Sequence, residues 1–298
     1  MSRRGALVAA AIASSACPAS AEPVVKASVE LRIGAAAAPF YTEALPETSS
    51  EFTQARSMIL AGSYRLASNL WVGGRLPAAP STVRQPAGSY SDDKAFGNPE
   101  LNADWIPPSL FLGGSRVVHL TVRGAVGLPL AEHGTRSSLL QNRVVALSSA
   151  LDGWRNPELY QPGVVPVTLS GLALLEPRPW GAELAGKLPV LVRVGDASLP
   201  DEADSNPIGL EPHIEARGLL APDNWFTTEL GAHLAVRAVP AVATAERSER
   251  DGRVQVGIEP GLRFLLAGGV TLSARFSAAL GGPLAGTYAI GLAAAVAR

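Results

Sequence analysis

Cysteine is almost missing from this chain of 298 residues, and its single copy, Cys17, lies in a stretch that reads as a removable leader. Disulfides, cysteine nucleophiles and thiolate metal sites are therefore all excluded from the mature chain. Long uninterrupted apolar runs are also missing, which excludes helical membrane spans although 47% of the residues are hydrophobic. Charge of one sign is not in excess. Taking Arg3 and Arg4 away with the leader leaves 23 basic residues against 26 acidic ones, a net charge of −3. Nucleic acid is thereby excluded as a partner, since it calls for a basic field. Histidine is scarce, and His119, His133, His213 and His233 stand at no metal-ligand spacing. Glycine pairs such as Gly113-Gly114 and Gly268-Gly269 form no nucleotide-binding fingerprint, so no cofactor is expected.

The leader has the parts of a secretory signal. Ser2-Arg3-Arg4 supplies the positive start, Gly5 to Ala13 the short apolar run and Ala19-Ser20-Ala21 the small-residue cleavage site. The expected division is a signal peptide over 1–21 and one folded unit over 22–298.

What fills that unit is alternation. From Arg253 to the end, Val254, Val256, Ile258, Leu262, Phe264 and Leu266 form one row, with Gln255, Gly257, Glu259, Gly261 and Arg263 between them. The pattern resumes after Gly268-Gly269 with Val270, Leu272, Ala274, Phe276, Ala278 and Leu280, and again with Tyr288, Ile290, Leu292, Ala294 and Val296. A period of two is the side-chain period of a strand, and glycine-linked runs of this kind are antiparallel hairpins. Their length exceeds a usual soluble strand and fits a tilted membrane-spanning strand of about 9–11 residues. A soluble sandwich would leave the long apolar rows uncovered. The fold class expected is all-β: a transmembrane antiparallel up-and-down β-barrel in the outer membrane of a Gram-negative cell.

The same reading along the chain counts about twelve strands, an even number as such barrels require. Connections alternate between short and long, except that the last hairpin, at Gly281-Gly282-Pro283, is short where a long one is due. Short periplasmic turns and longer outer loops are the asymmetry of these barrels. Pro77 to Gly97 reads as one of the long loops, and Ala131 to Gly163 as the longest. Trp71, Trp105, Trp180 and Trp225 lie beside short turns, where an interfacial aromatic girdle belongs. Within the longest loop Leu140, Val144, Leu147 and Leu151 recur at helical spacing, which predicts a short amphipathic helix over Ser137–Leu151. Such a helix is marginal alone and must bury its stripe, so these four residues are candidates for a lid over the barrel mouth. Asn98-Pro99, Asn156-Pro157 and Asn206-Pro207 each end a long loop and are read as strand openings, the first two extending to Asn-Pro-Glu-Leu.

With apolar rows facing lipid, the charged rows face inward. The candidate lumen-lining residues are Glu183, Lys187, Arg193, Glu215, Arg217 and Glu229, together with His233, Arg237, Glu259, Arg263 and Arg275. Lys26, Arg32, Arg65, Arg75 and Arg123, with Glu30, Asp104 and Glu211, fall on inward rows as well. Charges at membrane depth must face the lumen and pair there, so one reading is a salt-bridge network that stiffens a narrow barrel. The other is a pore lining whose basic excess prefers anionic or polar solutes. No side-chain base stands within evident reach of a nucleophile. The nearest arrangement is His119-Leu120-Thr121 on an inward row, and the chain is expected not to be an enzyme.

In its strand-turn-strand unit from Tyr64 to Leu76, with Ser68-Asn69-Leu70 at the turn, and in its Asn-Pro-Glu-Leu motifs, the chain resembles bacterial outer-membrane barrels. Among these it is similar to the phenol meta-degradation outer-membrane family. The resemblance implies a passive channel or transporter for small solutes, often hydrophobic compounds. It also implies two kinds of partner, outer-membrane lipids and the barrel-assembly machinery. The alternatives are a structural or adhesive barrel with a plugged lumen and an outer-membrane lipid-modifying enzyme.

Overall fold

The structure, a computed structural model, describes residues 24–36, 53–84, 90–113, 116–131, 151, 155–161, 163–177, 179–194, 208–236, 254–282 and 284–298. The leader, Leu140, Val144, Leu147 and Arg237 lie outside the described residues, so of the expected helix only Leu151 is seen, and it is buried.

The strands are β1 (Val25–Ala36), β2 (Thr53–Ala67), β3 (Leu70–Arg84), β4 (Tyr90–Phe96), β5 (Glu100–Trp105), β6 (Leu110–Leu112), β7 (Arg116–Gly127) and β8 (Val164–Leu175). They continue with β9 (Trp180–Arg193), β10 (Ile208–Leu210), β11 (His213–Asp223), β12 (Phe226–Val236), β13 (Val254–Leu266), β14 (Val270–Gly281) and β15 (Tyr288–Ala297). All are paired antiparallel in one sheet. β4 and β5 share β3 as partner, and β5 and β6 share β7, so these three pieces form one interrupted stave. β10 and β11 both pair with β9 and form another. The result is a closed barrel of twelve staves. Closure comes from β15 pairing with β1, from Lys26 opposite Ala297 to Ala35 opposite Tyr288. The ends are tied by Val25 N–H to Arg298 O at 2.7 Å and Arg298 N–H to Val25 O at 2.9 Å. A closed sheet leaves no unpaired edge in a medium that offers no water to the backbone.

The alternation places the side chains as expected. Along β12, Leu230 and Leu234 are exposed while Glu229 and His233 are buried. β11, whose pattern is ambiguous in sequence, sends His213 and Arg217 inward and Ile214 and Leu220 outward. The outer apolar rows have no protein partner, as a lipid-facing surface requires. At the short-turn end, Trp225, Phe226 and Phe264 cluster with ring centroids 5.2–6.2 Å apart, and the Arg116 guanidinium lies 3.9 Å over Trp180.

Three expectations are corrected. The stretch from Pro77 to Gly97 is not a loop: β3 runs on to Arg84 and pairs with β4, leaving 85–89 between them. Beyond Ala78 β3 no longer pairs with β2, so Pro80 lies where one side of the strand has no ladder to break. Trp71 does not join the girdle. It is 1% exposed and points inward, under the Lys26 ammonium at 3.6 Å. Asn156-Pro157 opens no strand: Pro157–Leu159 is a single 3-10 turn, and β8 starts at Val164.

Two glycines at positive φ, Gly268 at 74° and Gly269 at 73°, make the β13–β14 turn, where a side chain would be strained. The short last hairpin folds inward. Leu284 is fully buried, and its N–H donates to Gln255 Oε1 at 2.9 Å.

Candidate functional site

Among the described residues the interior holds no continuous apolar core. Small apolar contacts, Leu174 with Leu219 and Val164 with Leu191, sit near the two ends of the described wall. Between them lies a layer of charge. Glu259 sits about midway along β13 and is 1% exposed. It accepts from Arg32 Nη1 at 3.3 Å and Arg217 Nη2 at 3.2 Å, and pairs with Arg155 as well. Glu229 on β12 accepts from Arg217 Nη1 at 3.1 Å, Arg263 Nη2 at 2.8 Å and Arg275 Nε at 2.7 Å. Glu215 pairs with Arg217, and Glu30 with Arg32 at 2.7 Å. Apart from Arg155, which comes from a loop, every one of these charges lies on an inward row, because only there can it find a partner or water.

β13 makes room for this layer. Its inward row reads Gln255, Gly257, Glu259, Gly261, Arg263, so each long side chain is followed by a gap. A Cβ on Gly261 would lie 2.9 Å from both Arg275 Cγ and Glu229 Oε1, and one on Gly257 would lie 2.3 Å from His233 Cε1. Gly261→Val is accordingly expected to separate Arg275 from Glu229 and to cost roughly 1–3 kcal/mol, the scale of an overpacked site. Gly171→Val, where a Cβ meets nothing within 4 Å, is the control. Urea unfolding of both variants in lipid vesicles checks this, and equal midpoints would refute it.

A second cluster brings in the longest loop. Residues 155–161 enter the barrel, and Asn156, Glu158 and Arg155 tie them to four strands of its wall. Glu158 has a fully buried side chain and accepts from Lys187 Nζ on β9 at 2.9 Å and from Arg75 Nη2 on β3 at 3.3 Å. Asn156 Oδ1 accepts from the same two side chains, at 3.0 and 3.1 Å. Arg155 binds Glu259 on β13 and lies 3.8 Å from Glu215 on β11. The two Asn-Pro-Glu-Leu motifs thus meet. Arg75 holds Glu100 of the first at 2.6 Å beside Glu158 of the second. Asn98 N–H donates to Leu159 O at 2.7 Å, and Asn98 Nδ2 donates to Glu158 O at 3.0 Å and Gln161 O at 2.6 Å.

Between this inserted segment and the short-turn end lies a cavity of about 520 Å³. Of the residues proposed from sequence, Glu183, Lys187, Glu215, Arg217, Arg263 and Arg275 line it. Glu229, Glu259 and His233 are buried in the wall, and Arg193 sits at the far end of β9 opposite Val164. Arg155, Asn156, Glu158 and Glu100 were missed. The only trace of them in the sequence is the repeated Asn-Pro-Glu-Leu, read there as turn chemistry.

The sequence matches no protein-family profile, and no curated protein matches it. Solved structures do. The chain is similar to the crystal structure of an outer membrane channel from Pseudomonas putida F1, at 13% identity and a TM-score of 0.61, covering 95% of this chain and 98% of that one. The fold is that of an outer-membrane β-barrel. The NanC porin matches at 5% identity and a TM-score of 0.48, over 91% of this chain and 99% of that one. LpxR from Salmonella typhimurium matches at 9% identity and a TM-score of 0.43, again over 91% and 99%. At such identities the likeness is one of fold. The expectation that the chain is not an enzyme is corrected on this point: the barrel fold by itself neither requires catalysis nor excludes it. The barrel itself also removes part of the sequence argument. His119 Nδ1 lies 2.9 Å from Ser109 Oγ, ten residues upstream, where sequence adjacency pointed only to Thr121.

Proposed function

We propose that the protein is an outer-membrane channel for small solutes whose lumen is occluded by the 155–161 segment. The observation that carries this reading is the cavity of about 520 Å³ inside a closed barrel, a size within the range that accommodates small organic molecules. Nine cations and four carboxylates line it, but Glu100, Glu158, Glu229 and Glu259 stand close behind and pair with seven of those cations. The lumen is therefore nearly neutral, and its selectivity for anions is weak. In this reading residues 1–21 direct export, and the assembly machinery inserts the barrel with its short turns in the periplasm.

Passage requires the inserted segment to move, since it is tied to β3, β9, β11 and β13 at once. The double variant Arg155→Ala with Glu158→Gln removes both sets of ion pairs while the wall stays intact. Planar-bilayer recordings are expected to show a several-fold higher conductance for this variant than for the parent chain. The pinning of the segment equally fits the second reading, a structural barrel with a plugged lumen. An assembled double variant that conducts no better than the parent would favour that reading.

A further inference from the structure

We propose that the short-turn end of the lumen holds a binding site for a small organic carboxylate, formed by Lys26, Thr121 and the apolar side chains above them. Among the described residues Lys26 differs from the other cavity-lining cations. Arg32, Arg75, Arg123, Arg155, Lys187 and the three arginines around Glu229 each lie within ion-pair distance of a carboxylate, whereas Lys26 has none within 4 Å. Its ammonium instead lies 3.6 Å over the face of Trp71, with the Arg65 guanidinium 6.0 Å from the same ring. An aromatic face attracts a cation but supplies no counter-charge and accepts no strong hydrogen bond. The three N–H donors of Lys26 stay available and its positive charge is not cancelled.

The registers bring a second donor to the same end. Trp71 stands opposite Asp104, and Asp104 opposite Arg123, so the ammonium on Trp71 shares this end with the Asp104–Arg123 pair. Arg123 holds that carboxylate with Nε at 2.6 Å and Nη2 at 2.8 Å. Thr121, two residues from Arg123 on β7, has a hydroxyl that is buried without a hydrogen-bond partner and lines the cavity. A buried hydroxyl without a partner is uncommon and is satisfied when an acceptor enters. Lys26 and Thr121 are thus open donors beside a carboxylate that Arg123 already holds. Ala61 and Ile59, further along the same wall, and Ile106 at the short-turn end line the cavity too and give a hydrocarbon body an apolar surface. A carboxylate head on a short apolar chain matches both halves of the site.

The inference rests on the channel reading for its purpose but not for its test. Butyrate and its neutral isostere butyramide are titrated at low salt into the purified full-length barrel in detergent, followed by tryptophan fluorescence. Butyrate is expected to give a saturable change that butyramide does not, and the change disappears in Trp71→Phe. Lys26→Gln is expected to weaken butyrate roughly tenfold, the worth of one charge-assisted hydrogen bond, and Lys26→Arg to restore most of the loss. Thr121→Val, on a different strand, is expected to weaken it as well. Equal affinity for butyrate and butyramide, or an unchanged affinity in both Lys26→Gln and Thr121→Val, overturns the site. Butyrate binding in a barrel that never conducts would keep the site and sink the channel, while conductance with no butyrate binding would do the reverse.

Discussion

Glu259→Gln is expected to destabilise the barrel by about 3–5 kcal/mol, the cost of removing one partner from a buried ion network. Glutamine keeps the shape and removes the charge, so any loss reports on the carboxylate. Arg32, Arg155 and Arg217 all converge on Glu259, and Arg275 stands 3.7 Å away. Glu215, Glu229 and Glu30 remain to share these guanidiniums, which places the effect toward the lower end of that range. Glu30→Gln, with its side chain 31% exposed and one partner, Arg32, is the matched control and is expected to cost under about 1 kcal/mol. Urea midpoints measured in lipid vesicles decide the matter. Equal midpoints for the two variants would show that lumenal water, and not Glu259, solvates the arginines.

The second large effect is on the outer surface. Leu184→Arg and Leu234→Arg are each expected to cost about 2–4 kcal/mol and to reduce assembled barrel strongly, because both positions lie on outward rows within the span. Leu184 is 56% exposed with nothing of the protein to cover it. Thr271→Arg places the same cation in the cavity, where water and carboxylates receive it, and is expected to assemble normally. Heat-modifiability gels read the assembled fraction. A similar loss in all three variants would mean that the two faces have been assigned the wrong way round.

Both expectations draw on features of very different visibility. Which side of the wall each strand residue faces could be read from the chain, since β12 shows it in every second residue from Phe226 to Val236. Pairing decided what that pattern left open. Pro77 and Pro80 read as loop punctuation, yet β3 carries Pro77 opposite Ile59 of β2 and Pro80 past the end of that pairing. Trp71 looked like its neighbours in the girdle, yet it shares the inward row of Arg75 and lies under Lys26, far away in sequence.

The chain by itself determined the class of fold and, β11 aside, the inward and outward rows, while the charge inside read as a basic excess until Glu100 and Glu158 were placed behind the lining. A period of two is a property of the local backbone, and a strand in lipid has one choice of face. Tertiary structure alone decided that Glu158 bridges Arg75 and Lys187, that Arg155 reaches Glu259, that Ser109 lies beside His119, and that Lys26 is left without a carboxylate. These are meetings of residues from different staves or from a loop that turns back into the barrel. Their geometry depends on closure and register, and no local propensity encodes either.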